Sequence, residues 1–427
     1  MKKVLIITYH FPPRPGVAGL RLRGLAKYLP RFGWEPIILT PKLPGPSGLS
    51  CRVIETKHKG DFSSWIKRRM GFNPDLRLDE QPGRPFVIPA SKDSWLPKFM
   101  EYVYGMINYP DEQKNWIPLA VQAGEDFLAK ERVDALLTSS HPASCHLIAY
   151  ALKKKFHIPW GADLRDLWTQ NHYYQYGRIR KFFEEKLEKR TFNEADVLFT
   201  VSEPLADLLR TFHGKTTVAV PNGFDPEETF TGTLPTTKDF TIAHTGRLYD
   251  GKRDPAILFS VMQQLIKEKK LDPQRVRLNF WGSKNAWLER EIEKYNLGGI
   301  ACQCGMINRS EVLAKQRESQ LLLLLTWMNP KENGVYTGKI FEYLISQRPI
   351  LAIGAAGPHV VRQLLEKTKA GYFASDETTL RQIILQCWEE YLRNGRVAYQ
   401  GITDEINQYS HMEMAKKFAE KLAVISR

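Results

Sequence analysis

Short apolar runs alternate with stretches of helical spacing twice along this chain, and few folds satisfy that pattern. The run VLIIT at Val4 to Thr8 is continuously apolar, as a strand buried on both faces must be, and helical spacing follows from Arg21 to Leu29 before PIILT at Pro36 to Thr40. A β-α-β unit of this kind makes its strands parallel, because a helical crossover joins them. VDALLTSS, HLIAYALKKKF, PWGADL, ADVLFTVS and TTVAVPN carry the alternation to Pro221. A Pro- and Thr-rich stretch without period follows, DPEETFTGTLPTTK at Asp225 to Lys238. The pattern then restarts with FTIAHTG, a helix over Pro255 to Lys269, VRLNFWG, a helix near Leu288 to Tyr295, LLLLLT, the KIFEYL helix and PILAIG.

A chain of 427 residues exceeds the length at which one core usually suffices. The pattern predicts α/β architecture: a doubly wound domain over 1–221, a linker over 222–238 and a second doubly wound domain over 239–408. In the terminal segment 409–427, Met412, Ala415, Phe418, Ala419, Leu422 and Ile425 recur at helical spacing, so this helix should pack one face on a domain.

Composition narrows the partners. With 61 Lys and Arg against 47 Asp and Glu, the net charge of +14 draws the molecule to polyanions, whether nucleic acid, an anionic membrane surface or phosphorylated small molecules. Five cysteines with no CxxC pair argue against a disulfide framework or a zinc site and suit a reducing cytoplasm. The opening MKKVLIITYHFPP has too short an apolar run for a signal peptide, and no run approaches membrane-spanning length. Residues 60–115 interleave basic side chains with Trp65, Phe72, Trp95, Phe99 and Tyr104. That texture suits peripheral contact with anionic lipid at the inner face of a membrane, and equally a local core under a long insertion.

Ligands of doubly wound sheets bind outside the carboxyl ends of strands, so the residues following strands carry the functional reading. In AHTGRLYDGKRDP, Gly246 lets backbone approach a ligand, while Arg247 and Lys252 can hold a diphosphate as a fork and a point charge. A solvated basic loop is the competing reading. After LLLLLT, the turn NPKENGVYTG leads to a helix beginning near Thr337, whose free N–H groups and Lys339 favour an anion. Glu342, one turn further, suits sugar hydroxyls instead, or a plain i,i+3 pair with Lys339. Gly16 and Gly19 in FPPRPGVAGL permit close backbone approach in the first domain. Gly282 in NFWGS, with Gly305 and Met306 in CQCGMIN, follows strands in the same way, with backbone that could read a nucleobase; core packing competes for Trp281.

The early Gly-rich loop, VSEPLADLL with VPNGFD, TGRLYDGK, GMINRSEV and GKIFEYLISQRPILAIG, in this order, resemble the GT-B glycosyltransferases of family 4. The resemblance implies two Rossmann-like domains facing a cleft, with the C-terminal helix returning to the N-terminal domain. It further implies retaining transfer from a nucleotide diphosphate sugar, on uracil or guanine, to a glycan or lipid-linked acceptor in bacterial surface polysaccharide or glycoconjugate synthesis. The donor falls to the C-terminal domain and the acceptor to the N-terminal one. Arg247 and Lys252 match the diphosphate positions, Glu342 the ribose glutamate, and Gly16 the loop facing the donor. The chain departs from the family twice. Gly334 stands where a second glutamate is common, with Glu332 out of register and the backbone N–H groups of Asn333 and Gly334 as substitutes. In GADLRDLW, Arg165 lies between Asp163 and Asp166 where many members place a histidine.

Breaking a glycosyl phosphate bond demands stabilisation of the departing diphosphate, which Arg247, Lys252 and Lys339 can supply. The sequence has no DxD, so neither a metal nor another cofactor is expected. Asp163, Asp166 and His141 in SSHPAS are candidates to orient the acceptor or shuttle its proton; the aspartates otherwise pair with Arg165, and the histidine is otherwise structural. Two rivals remain open here: a nucleotide-sugar epimerase of the same fold, and a non-enzymic nucleic-acid binder, the latter disfavoured by the lack of a nucleic-acid-binding signature.

Overall fold

The computed structural model describes residues 1–14, 17–57, 108–174, 176–229, 232, 235–248 and 252–427. Gly16, and the basic aromatic stretch over most of 60–115, lie outside them. The chain divides into two compact units, residues 1–220 with 414–427, and residues 221–413.

The first unit contains β1 (Lys2–Ile7), α1 (Val17–Tyr28), β2 (Trp34–Pro41), β3 (Arg52–Thr56), α2 (Ile117–Leu128), β4 (Ala135–Ser140), α3 (Ser144–Phe156), β5 (Trp160–Leu164), α4 (Arg178–Phe192), β6 (Val197–Thr200), α5 (Glu203–His213) and β7 (Thr217–Ala219). Its seven strands form one parallel sheet in the order β3-β2-β1-β4-β5-β6-β7, in which Val4 faces both Pro36 and Ala135. The continuous apolar run of β1 has a direct cause. Leu5 and Ile7 enter one core with Ile37, Leu136 and Ile148, whereas Val4 and Ile6 enter the other with Leu22, Ile38 and Leu137.

The second unit contains β8 (Phe240–Thr245), α6 (Ala256–Lys267), β9 (Val276–Trp281), α7 (Ala286–Lys294), β10 (Ala301–Gly305), α8 (Arg309–Glu318), β11 (Leu321–Leu325), α9 (Gly338–Leu344), β12 (Ile350–Ile353), α10 (Val360–Thr368), β13 (Gly371–Ala374), α11 (Glu377–Asn394) and α12 (Thr403–Asn407). The parallel order β10-β9-β8-β11-β12-β13 reverses between β8 and β11. The five leucines of β11 divide by the same alternation, Leu321, Leu323 and Leu325 to one core and Leu322 and Leu324 to the other. Pro221, expected in the first domain, and residues 222–229, expected in the linker, belong to this unit: Phe224 bridges Ser410, and a side chain at Gly223 would collide with the Tyr409 carbonyl.

The terminal helix α13 (His411–Ile425) begins in the second unit and ends in the first. Met414, Ala415, Phe418, Ala419 and Leu422 are buried with the α1 side of the first sheet, and Phe418 stacks on Phe199 at 4.3 Å between ring centres. One ion pair links this layer to the sheet. Arg21 of α1 grips Asp163 of β5 with Nε to Oδ2 and Nη2 to Oδ1, both 2.9 Å, and its Nη1 donates to the Val220 carbonyl at 2.9 Å. The same guanidinium lies 5.1 Å over the Phe418 ring, and Ser139 Oγ donates to Asp163 Oδ2 at 2.9 Å.

Both charges of that pair are essentially inaccessible, with side chains 1% and 0% exposed. A buried ion held this way is costly to orphan. Asp163→Ala should therefore lower unfolding free energy by about 3–5 kcal/mol in urea titrations, with Arg21→Met combined with Asp163→Leu recovering most of the loss.

Candidate functional site

The reversal of strand order between β8 and β11 places two loops at one spot outside their carboxyl ends, where doubly wound sheets receive ligands. β8 ends at Thr245 and the chain turns at Gly246, whose φ of +96° lies in the left-handed region. A Cβ there would also meet Lys339 Cε at 2.9 Å, so the glycine serves both the turn and the approach of the lysine. Gly282 and Gly305 end the next two strands, and backbone hydrogen bonds join the three turns, Gly246 N to Trp281 O at 2.6 Å and Gly282 N to Gly305 O at 2.9 Å. A Cβ on Gly282 would press on the Gly246 carbonyl at 2.7 Å. Met306 stands beyond them, 78% exposed, with its sulfur 3.6 Å from Ser283 Oγ.

Lys339 and Glu342 do not pair with each other. Lys339 Nζ donates to His244 Nε2 at 2.9 Å and to the Arg247 carbonyl at 3.2 Å. The buried His244 has its Nδ1 3.0 Å from the Leu323 carbonyl, which can only accept, so Nδ1 carries the proton and Nε2 offers its lone pair to the lysine. Burial, then the charge of Lys339, hold His244 well below the ordinary histidine range and keep it neutral. Burial, then the charge of Arg253, depress Lys339 to about 7, opposed by Glu342.

Glu342 is held from the other side. Its Oε2 accepts from Arg309 Nη1 at 3.0 Å and its Oε1 from Gln316 Nε2. Gln316 also donates to Thr245 Oγ1 at 2.8 Å, and Tyr343 OH accepts from Thr245 N at 3.1 Å, fixing α8 and α9 to the end of β8. Lys252 and Arg253 stand 5.5 and 5.1 Å over the Trp327 ring, so the tryptophan following β11 gathers the cations of the β8–α6 loop. Arg247 is exposed at the same turn.

The loop from β11 to α9 is the other half of the site. Helix α9 has seven residues, and its N-cap Thr337 makes no side-chain cap bond. What the loop holds are three buried oxygens without a hydrogen-bond partner, Glu332 Oε1, Asn333 Oδ1 and Thr337 Oγ1. Asn333 is fixed by its Nδ2 donating to the Ala356 carbonyl at 3.1 Å. The adjacent Gly334 is half-buried.

In the first unit the strand order reverses between β1 and β4. Gly19 lies in the first turn of α1 rather than in the preceding loop, and among the described residues a built Cβ would stand 3.6 Å from Pro12, an ordinary contact. His141 follows β4 and is exposed, as is Asp166 after β5. Arg165 Nε donates to the Ser140 carbonyl at 2.7 Å, which sets its base beside the end of β4. Asp163 is a correction: its carboxylate is consumed by Arg21 and Ser139 within the sheet, so it acts as an anchor and neither contacts an acceptor nor pairs with Arg165 as its main partner.

His244, Arg253, Trp327, Arg309 and Gln316 join the site without having been singled out in the sequence. His244 did carry a signal, a titratable residue inside the otherwise buried strand FTIAHT. Arg309 and Gln316 carried none, because their partner Glu342 lies on another helix.

Residues 18–228 match the family model described as Glycosyltransferase Family 4. No curated protein matches the sequence. Among solved structures, the chain is similar to sucrose-phosphate synthase from Thermosynechococcus elongatus, with 15% identity, TM-score 0.63 and 100% and 99% of the two chains covered. It is similar to HepE from Anabaena, solved with UDP and glucose, with 14% identity, TM-score 0.62 and 99% and 100% covered. A third likeness is to the trehalose 6-phosphate synthase of Burkholderia multivorans, with 13% identity, TM-score 0.59 and 100% and 99% covered. At these identities the likeness is one of fold, and the fold is GT-B.

The depressed Lys339 has a measurable signature. Its folded-state pKa of about 7 lies below the unfolded value of 10.5, so the unfolded chain binds more protons between those limits and stability rises with pH across them. Denaturant titrations from pH 6 to pH 9, as ~3 units of scan, should show wild type gaining on Lys339→Met above pH 7, with no divergence below it.

Proposed function

We infer, from a GT-B chain whose N-terminal unit belongs to glycosyltransferase family 4, that it transfers a sugar from a nucleotide diphosphate donor held by the second unit. The observation that carries this reading is the convergence on the Gly246 turn of Lys339, fixed by His244, with Arg247 exposed beside it. Lys252 and Arg253 extend the cationic surface over Trp327. A diphosphate laid against the Gly246 backbone meets these cations.

The chemistry follows from that placement. The bond from the sugar's anomeric carbon to the diphosphate oxygen breaks, and charge grows on the leaving phosphate where Lys339, Arg247 and Lys252 stabilise it. The acceptor hydroxyl attacks from the same face, giving retention, and passes its proton to the departing phosphate oxygen. Cationic side chains perform the neutralisation that a metal performs elsewhere, so chelators should leave transfer unchanged. HepE, solved with UDP, supports uridine as the base. Glu342, bracketed by Arg309 and Gln316, presents its carboxylate to the ribose hydroxyls. Glu332 and Asn333, with unpartnered buried oxygens, take the donor sugar's hydroxyls in place of the glutamate missing at Gly334. On the first unit, His141, Arg165 and Asp166 face the acceptor, a glycan or lipid-linked saccharide of bacterial surface synthesis.

Thermal shift with UDP-, GDP-, ADP- and CDP-sugars tests the donor class, since a ligand of the folded state raises its melting temperature. A UDP-sugar should stabilise wild type, and Arg247→Ala should lose most of that shift; equal silence toward all four donors would overturn the reading. Glu332→Gln should leave UDP binding intact and weaken UDP-sugar binding by roughly tenfold, the scale of one charge-assisted hydrogen bond. Binding of UDP near pH 8 should take up a proton, up to one per site, as its phosphates recharge Lys339; calorimetry in buffers of different ionisation enthalpy reads this directly, and Lys339→Met should abolish it.

A further inference from the structure

Over its first three turns, helix α4 (Arg178–Phe192) is built inside out. Its buried positions are Arg180, Glu184, Glu188, Thr191 and Phe192, and the first three, at 4%, 1% and 0% exposure, lie one turn apart along a single face. Its opposite face carries Ile179, Phe182 and Phe183, at 65%, 53% and 55% exposure. A helix on a water-facing surface reverses this arrangement, with apolar residues inward and charges outward.

The buried charges are fully employed. Arg180 pairs with Glu184 at 2.7 Å, donates to the Pro110 carbonyl at 2.9 Å and stacks on Tyr176 at 3.4 Å. Glu184 accepts from Tyr174 OH at 2.8 Å, and Glu188 accepts from Thr169 N at 3.1 Å and faces His213 Nε2 at 3.3 Å. The polar side of α4 is thus committed to the first unit, and the helix cannot rotate to hide Phe182 and Phe183 without orphaning three charges.

The exposed face has its own order. Ile179, Phe182, Phe183 and Lys186 follow i, i+3, i+4, i+7, and Lys186 Nζ sits 4.2 Å from the Phe182 ring centre. Arg178, Lys189 and Arg190 are exposed on the same side, and Tyr173 and Tyr176 precede the helix at 42% and 36% exposure. Among the charged residues turned outward here, Glu185 is the acidic one, 3.8 Å from Lys181. Aromatic rings bordered by cations match the headgroup level of an anionic bilayer, apolar toward the acyl chains and positive toward phosphates.

We propose that α4 lies flat on an anionic membrane surface, with Ile179, Phe182 and Phe183 at the headgroup–acyl boundary and Arg178, Lys186, Lys189 and Arg190 against lipid phosphates. The contact differs from the one expected in residues 60–115. It rests on the transfer reading only for its purpose, which is to bring the first unit to a lipid-borne acceptor.

Flotation with phosphatidylcholine vesicles, with and without phosphatidylglycerol, tests it. Wild type should float with the anionic vesicles and release as salt rises. Phe182→Ser and Phe183→Ser should each weaken binding on the order of tenfold, and Arg178→Gln with Lys186→Gln on the order of tenfold together, with a shallower salt dependence. Thermal shift by UDP should be unchanged in all of these variants, which separates failure of this contact from failure of the donor reading. Absence of flotation, or flotation that survives the serine variants, overturns the proposal. So does dimerisation in light scattering that Phe182→Ser abolishes, which would give this face to a second copy of the chain.

Discussion

Parallel pairing governs everything else in this molecule. A parallel sheet has every crossover passing over a face, so both faces are covered and each central strand is apolar on both sides. The two ends of such a sheet are the places left for polar chemistry. Where the strand order reverses, between β1 and β4 and again between β8 and β11, two neighbouring loops diverge and leave room for a ligand. The candidate residues fall at those reversals because the topology leaves them nowhere else to act together.

At the second reversal, charge is held by geometry rather than by an opposite charge. Lys339 sits against a glycine turn with a neutral imidazole and a carbonyl as its partners, and the nearby Arg253 raises the cost of its proton. An ammonium so placed is underneutralised, which is what the proposed reading of a diphosphate site requires. Had Lys339 paired with Glu342, as their spacing allows, the two charges would have cancelled. Arg309 and Gln316 prevent this by drawing the carboxylate away.

The charges farthest from solvent have a different task. Arg21 and Asp163 lie deep in the first unit, where their bonds tie α1, β5 and the end of the chain segment at Val220 together. Arg180, Glu184 and Glu188 do similar work under α4 and turn Phe182 and Phe183 outward. In each case the local sequence pattern misleads, because a charged residue in a strand or helix reads as solvent-facing or functional until its partner is known.

The alternation of apolar runs with helical spacing was enough to establish two doubly wound α/β domains, because strands buried on both faces leave an unmistakable continuous run, as in VLIIT and LLLLL. Turn glycines after strands pointed equally well to Gly246 and Gly282, since local conformation demands that residue type. Only the tertiary structure decided the pairings. It gave Asp163 to Arg21, 142 positions away, instead of its neighbour Arg165, and gave Lys339 to His244, 95 positions away, instead of Glu342. It placed Glu332 and Asn333 as buried acceptors and turned the first turns of α4 inside out. Backbone preferences are properties of a few adjacent residues and so are written locally, whereas the partner of a charge is chosen by packing between distant segments, which no short window of sequence contains.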